Sequence, residues 1–216
     1  MTKVSAQKPP LILVHGWGFN NAIWRDVIDL LPGFECHSIE LGFLLGAPQG
    51  TSSMPPEAVG IGHSFGLMWL LKHGRRPLRG LVSIAGFDCF TAHVEPRQIE
   101  AMKRGLDRDP VAQMQRFWRA CGTEDFTQRE NYDVSALKGG LDWLGNWDER
   151  EARRELTCPL VALGSKDDAI VPIEMTQSIW GDTDLRLCPD GGHALPLSQP
   201  QWCADEINEF VARLSD

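Results

Sequence analysis

The sequence predicts an α/β fold: a mostly parallel sheet of about six strands, flanked by helices and interrupted by an inserted helical cap. Three observations predict it. Leu11–Val14, Cys36–Leu41 and Ala58–Ile61 are short β-rich runs, each apolar enough for a strand buried on both faces. Helix-period segments separate these runs. A polar, charged block from about Asp88 to Leu156, with Trp118, Trp143 and Trp147 interspersed, then breaks the alternation until Leu160–Leu163 resumes it.

Between the first two strands, Asn20-Asn21 can cap a helix from about Ala22 to Leu31, in which Ile23, Trp24, Val27, Leu30 and Leu31 recur at helical spacing until Pro32-Gly33 ends it. Leu67–Leu71 reads as a buried helix stopped near Gly74, and Leu81–Ile84 as the next strand. After the charged block come a strand at Leu160–Leu163, a helix near Ile173–Trp180 and a strand near Leu185–Leu187. A closing amphipathic helix carries Trp202, Ile207, Phe210, Val211 and Leu214. No repeat or low-complexity tract interrupts this order.

Length and composition narrow the function. The chain has 216 residues, 43% of them hydrophobic, enough for one domain with a full core, residues 1–216, in which the cap occupies about 88–156. Its formal charge of −8 and the lack of a basic block speak against nucleic acid as a partner. Six cysteines without a Cys-x-x-Cys pair or a zinc-like Cys/His cluster read as free thiols, with no metal and no cofactor implied. Met1–Pro10 lacks the apolar core of a secretory signal, and no apolar run approaches membrane-spanning length, so a cytoplasmic protein is expected. Eight tryptophans against one tyrosine are read as core filling.

The strongest chemical signal is Gly62-His63-Ser64-Phe65-Gly66, set between a strand and a helix. A serine in such a turn is pushed into a cleft by a strained backbone, and glycines on either side keep side chains clear of it. Its hydroxyl needs a base. Of the six histidines, His193 in Gly191-Gly192-His193 follows a strand, whereas His37, His73 and His93 read as surface or strand residues and His63 as the variable position of the turn. The base needs a carboxylate to hold its tautomer, and Asp167-Asp168, just past the Leu160–Leu163 strand, supplies two candidates. Asp167 stands three residues after Gly164 and is favoured; Asp168, which matches the register counted back from Pro172, is the alternate. His15-Gly16-Trp17-Gly18 follows the first strand, so the Trp17 amide can join that of Phe65 as an oxyanion hole, with His15 structural.

With Ser64, the aspartate doublet, His193 and this glycine loop in place, the chain from about Leu11 onward resembles the α/β-hydrolase superfamily. Within it, Val14-His15-Gly16-Trp17-Gly18-Phe19-Asn20, Trp24, the pattern at Gly139-Gly140-Leu141, Asp148 and Leu156, and Gly192-His193-Ala194 are similar to the pimeloyl-acyl-carrier-protein methyl ester esterases of biotin synthesis. The resemblance implies a serine esterase whose substrate is a carrier-bound acyl ester. It also favours the first member of an aspartate doublet. The chain departs from the family pattern in starting close to the Leu11 strand, in a Pro/Gly-rich Gly42–Pro56 too short for the usual helix, and in Leu67 where another glycine is usual.

Arg97–Arg119 is locally basic: Arg97, Lys103, Arg104, Arg108, Arg116 and Arg119 face three acids, Glu100, Asp107 and Asp109. Arg97, Arg104 and Arg108 would share one helix face, a docking surface suited to an acidic acyl carrier protein. The competing readings are an ordinary solvated face on a carboxylesterase or thioesterase for small free substrates, and a ligand-binding receptor on the same fold.

Overall fold

Six strands pair in parallel in the order β2-β1-β3-β4-β5-β6 in the computed structural model, which describes residues 8–45, 54–74, 78–123 and 132–214. They are β1 (Leu11–Val14), β2 (Cys36–Ile39), β3 (Val59–His63), β4 (Gly80–Ile84), β5 (Leu160–Ser165) and β6 (Asp184–Cys188). The continuously apolar runs lie at the centre, where β1, β3 and β4 are buried along their whole length. The edges are wetter: β6 is half-exposed over most of its residues.

The chain runs outward from β1 to β2 and then returns to place β3 on the other side of β1. In a parallel sheet the crevice beyond the carboxyl ends of the strands opens where the order reverses. That point lies between β1 and β3. The loop after β1 and the turn after β3 are therefore brought side by side.

Helices α1 (Arg25–Asp29), α8 (Leu195–Ser198) and α9 (Pro200–Arg213) pack on one another, α2 (Phe65–His73) lies over β1 and β3, and α7 (Ile173–Trp180) over β5 and β6. The segment expected to form a helix over Ala22–Leu31 instead makes a 3-10 turn, Asn21–Trp24, followed by only five residues of α1. The Asn20 side chain, accepting the Ala22 amide, caps that turn. The second strand also stops two residues early, at Ile39, because Glu40 turns its carboxylate to the Asn21 and Gly42 amides.

Between β4 and β5 lie α3 (Pro96–Arg108), α4 (Pro110–Ala120), α5 (Val134–Asn146) and α6 (Arg150–Arg154). The two ends of this block are clamped together: Arg153 donates to the buried Asp88 carboxylate at 2.6 Å, and the Glu149 amide to the Asp88 carbonyl. Lys72 of α2 reaches Glu149 at 2.9 Å. Trp143 and Trp147 lie against Phe65, the first residue of α2. Of the eight tryptophans, Trp17, Trp24, Trp118 and Trp180 are buried and the others half-buried, so most of their ring area does fill the core. Most of Gly42–Pro56, like part of Met1–Pro10, lies outside the described residues. The six cysteines are unpaired. Among the described residues no helix is long and apolar enough to cross a membrane.

The turn after β3 depends on two close approaches. A Cβ at Gly62 would come within 2.6 Å of the Leu67 backbone, and one at Gly66 would run into the carbonyl oxygens of Val14 and His15. Gly66→Ala is therefore expected to cost about 3 kcal/mol in urea unfolding, since backbone atoms cannot step aside. Gly139→Ala, where the new methyl meets nothing within 4 Å of a helix surface, should instead stabilise by about 0.5–1 kcal/mol.

Candidate active site

Ser64 closes β3 with φ 53° and ψ −123°, a conformation sparsely populated by any residue with a side chain. Its amide donates to the Ile84 carbonyl of β4 at 2.9 Å, which fixes the turn from the neighbouring strand. The side chain reaches His193 Nε2 at 2.9 Å, and His193 Nδ1 stands 2.9 Å from Asp168 Oδ2. Both ring nitrogens are thus engaged, and Ser64, His193 and Asp168 are all buried.

The aspartate doublet divides differently from the expectation that put Asp167 on the imidazole. β5 runs on through Ser165, two residues past the expected end, so Asp167 falls within the turn rather than beyond it. Asp167 is exposed and accepts from Ser165 Oγ at 2.5 Å and from the Gly192 amide at 2.9 Å, bracing the loop beneath His193. Asp168 points inward, its Oδ1 accepting the Ile170 and Val171 amides at 2.8 Å each while Oδ2 faces the ring. Burial alone would raise the Asp168 carboxyl. The charge and hydrogen bond of His193, with the Val171 and Ile170 amides, outweigh it and hold the group below the usual carboxylate range.

The loop after β1 lies directly on this turn. A Cβ at Gly16 would approach Ser64 Cβ to 2.9 Å, so only glycine lets the loop come this close. The Phe65 amide, first in α2, has no intrahelical acceptor, and the Trp17 amide stands in the adjacent loop. Two indole hydrogen bonds tie that loop to the block between β4 and β5: Trp17 Nε1 of the loop donates to the Leu137 carbonyl of α5 at 2.8 Å, and Trp118 Nε1 of α4 donates to the Gly18 carbonyl of the loop at 2.9 Å. His15 is buried with Nδ1 donating to the Gly16 carbonyl and Nε2 2.9 Å from Glu40 Oε1, a bracing position beneath the loop.

A cavity of about 140 Å³ opens over Ser64 and His193, walled by Trp17, Phe87, Phe90, Val94, Ile99, Met102, Phe117, Leu144 and Ile170, with Gln98 its one further polar side chain. Sequence reading missed these walls, because they come from five separate segments of the chain and their apolar spacing is that of any buried helix face. His37 lies half-buried in β2, His73 stacks on Trp69 at the end of α2, and His93 is exposed. Arg97, Arg104 and Arg108 stand exposed on α3, and none makes an ion pair with a described residue.

A model of the alpha/beta hydrolase family matches residues 44–206, and the chain belongs to that family. Among its relatives it is similar to the pimeloyl-[acyl-carrier protein] methyl ester esterases of Yersinia enterocolitica, 28% identical over 239 residues covering 93% of this chain and 92% of that protein. The enzyme of that name from Pectobacterium atrosepticum is 28% identical over 240 residues and covers 93% of each. Among solved structures, an esterase from Exiguobacterium antarcticum superposes with a TM-score of 0.76 at 15% identity, over 94% of this chain and 92% of that one. A bromoperoxidase from Bacillus anthracis gives 0.74 at 17%, over 95% and 92%. At such identities the likeness shows the fold.

One buried group makes the site acid-sensitive. His63 is 0% exposed, and burial together with the neighbouring His193 charge lowers its pKa to about 3 from an ordinary 6.5. The unfolded chain therefore takes up a proton that the folded chain refuses between those values. Stability is full above pH 6.5 and falls as pH drops toward 3, at about 1.4 kcal/mol per unit from this group. Urea unfolding at pH 7, 6 and 5 should show this decline, and His63→Gln should flatten it.

Proposed function

We propose that the chain hydrolyses carboxylic esters through an acyl-enzyme, with Ser64 as nucleophile, His193 as general base, Asp168 as the carboxylate that orients it, and the Trp17 and Phe65 amides as oxyanion donors. The observation that carries this reading is the continuous line of two 2.9 Å hydrogen bonds from Ser64 Oγ through His193 to Asp168, at the mouth of an apolar cavity.

Ser64 Oγ attacks the ester carbonyl as His193 Nε2 takes its proton, and the developing oxyanion is met by amides already in place. Collapse of the tetrahedral species expels the alcohol, protonated by His193, and leaves the acyl group on Ser64. Water then attacks the acyl-enzyme, giving its proton to His193, and the second tetrahedral species releases the acid as that proton returns to Ser64. Asp168, held as a carboxylate by two amides, stabilises the imidazolium formed in each half. Asp167 keeps the Gly191–Gly192 loop in position and takes no part in proton transfer.

The substrate we favour is the methyl ester of an acyl chain borne by an acidic carrier protein, as in the relatives' name. Supporting it, the likeness to those esterases runs over nearly the whole of both chains. A second support lies on α3, where Gln98, Ile99 and Met102 line the cavity while Arg97, Arg104 and Arg108 occupy a stripe roughly 100° around the helix from Gln98. Nearby lysines are already neutralised: Lys103 lies 2.7 Å from Glu100 and 2.6 Å from Asp142, and Lys138 2.7 Å from Asp107. The three arginines are left to meet an acidic surface beside the cavity entrance.

Hydrolysis of p-nitrophenyl and methyl esters tests the chemistry. Ser64→Ala and Asp168→Asn should each lower kcat by about 10³-fold or more, whereas Asp167→Asn should lower it less than about tenfold and act chiefly on the melting temperature. Near-normal turnover by Ser64→Ala, or the reverse order of the two aspartates, would refute the assignment.

Reversing charge at Arg97, Arg104 and Arg108 together should cut kcat/KM for a carrier-bound ester about 10–100-fold and leave that for a free methyl ester within about twofold. Added salt should erode the wild-type preference in the same direction. Equal effects on both substrates would instead identify an esterase for free substrates.

A further inference from the structure

We propose that His63 is a positioning residue for the base: its Nε2–H, donated to the His193 backbone carbonyl, sets where the His193 imidazole stands against Ser64. The proposal rests on the assignment of Ser64 and His193 given above. His63 Nε2 is 3.0 Å from the His193 carbonyl oxygen, and the next residue, Ser64, meets the Nε2 of the same histidine at 2.9 Å. Two adjacent residues of the turn therefore hold His193 at both ends, one at its main chain and one at its ring.

That hold matters because the base sits on a loop with little stiffness of its own. Gly191 and Gly192 precede it at φ 133° and 64°, and the Ala194 amide after it makes only a long 3.4 Å bond to the Cys121 carbonyl. Asp167 restrains Gly192 through its amide, one residue short of the base. The bond from His63 falls on the base itself.

The cost of placing a histidine here points the same way. The ring is buried among the edges of Phe19, at 5.5 Å between centroids, and Trp24, at 6.4 Å, an environment that a phenyl ring would suit better. Its Nδ1 has no hydrogen-bond partner among the described residues. A buried polar ring with one nitrogen unsatisfied is unfavourable, so what the imidazole contributes over a phenyl is the single bond to His193. The ring remains neutral at working pH, so it donates through Nε2 and adds no second positive charge beside the imidazolium that forms during turnover.

The test is active-site titration with an alkyl fluorophosphonate, in which Ser64 Oγ bonds to phosphorus, fluoride leaves and His193 accepts the serine proton. The amplitude counts folded sites, and the rate reads the base. His63→Phe should label to the wild-type amplitude but about 10–100-fold more slowly, with kcat for a free ester reduced in proportion and KM unchanged. His63→Gln, whose side-chain amide can put an N–H where Nε2 stands, should recover the rate to within about threefold of wild type. Should His63→Phe not fold, His63→Asn, whose shorter amide cannot reach the His193 carbonyl, replaces it with the same expected slowing. A wild-type rate in the Phe or Asn variant, a Gln variant as slow as Phe, or a loss confined to amplitude would overturn the proposal. A wild-type protein left unlabelled at Ser64 would overturn the nucleophile assignment, and this proposal with it.

Discussion

The strained backbone of Ser64 is the constraint on which the rest of the site depends. A positive φ at a residue with a side chain costs on the order of 1–3 kcal/mol and persists only where its surroundings over-determine it. Here they do so from three sides. Above, Gly16 brings the loop after β1 into contact with the serine; below, Gly62 and Gly66 let strand and helix meet backbone to backbone; at the side, the Ile84 carbonyl takes the serine amide. Each restraint comes from an element buried along most of its length, so the core stabilises the turn indirectly, by leaving it no other geometry.

The helices between β4 and β5 serve the same end from outside the sheet. They wall the cavity, and through Trp118 and the partner carbonyl of Trp17 they also fasten the loop that carries the oxyanion amide. Gly140 of α5 leaves room for the Trp17 and Phe43 rings, to which a Cβ there would come within 2.6 Å and 2.5 Å. The shape of the cavity and the position of that loop are therefore not separable: a change that enlarges the cavity at α4 or α5 also loosens the loop. The ion pair of Asp88 with Arg153 ties the two ends of the block to each other, and that of Lys72 with Glu149 ties its far end to α2, which limits how far it can swing.

Much of this was legible in the sequence because parallel strands and amphipathic helices carry local periodicities. All six strands fall where the sequence pattern predicted them, β1 with the same bounds and the other five with one or both ends displaced by one or two residues. Those small displacements were not harmless: with two extra residues on β5, the aspartate that meets His193 is Asp168 where Asp167 was expected. Strand ends depend on where a neighbouring strand stops offering partners, and no local pattern records that. The short helix after β1 was over-read for a related reason, since Leu30 and Leu31 are apolar at helical spacing yet pack as the chain turns away. That Ser64 and His193 would be brought together was legible because glycines mark the backbone geometry around each. His63 was not, since a histidine at the variable position of the turn differs from a phenylalanine only through a residue 130 positions along the chain.

The connection from β4 to β5 also bears on how the protein reaches its folded state. Strands β1 to β4 come from the first part of the chain, which carries both Ser64 and the Gly16–Gly18 loop, whereas Leu81 pairs with Leu160, about eighty residues further on. Closing so long a loop costs entropy before any strand pairing offsets it, and contacts of high sequence separation slow folding. The sheet is thus divided in time as well as in sequence, with Asp168 and His193 arriving on the later strands. During synthesis the Ser64 turn can form while His193 is still inside the ribosome, so a half-made chain carries the serine in place but without the imidazole that meets it.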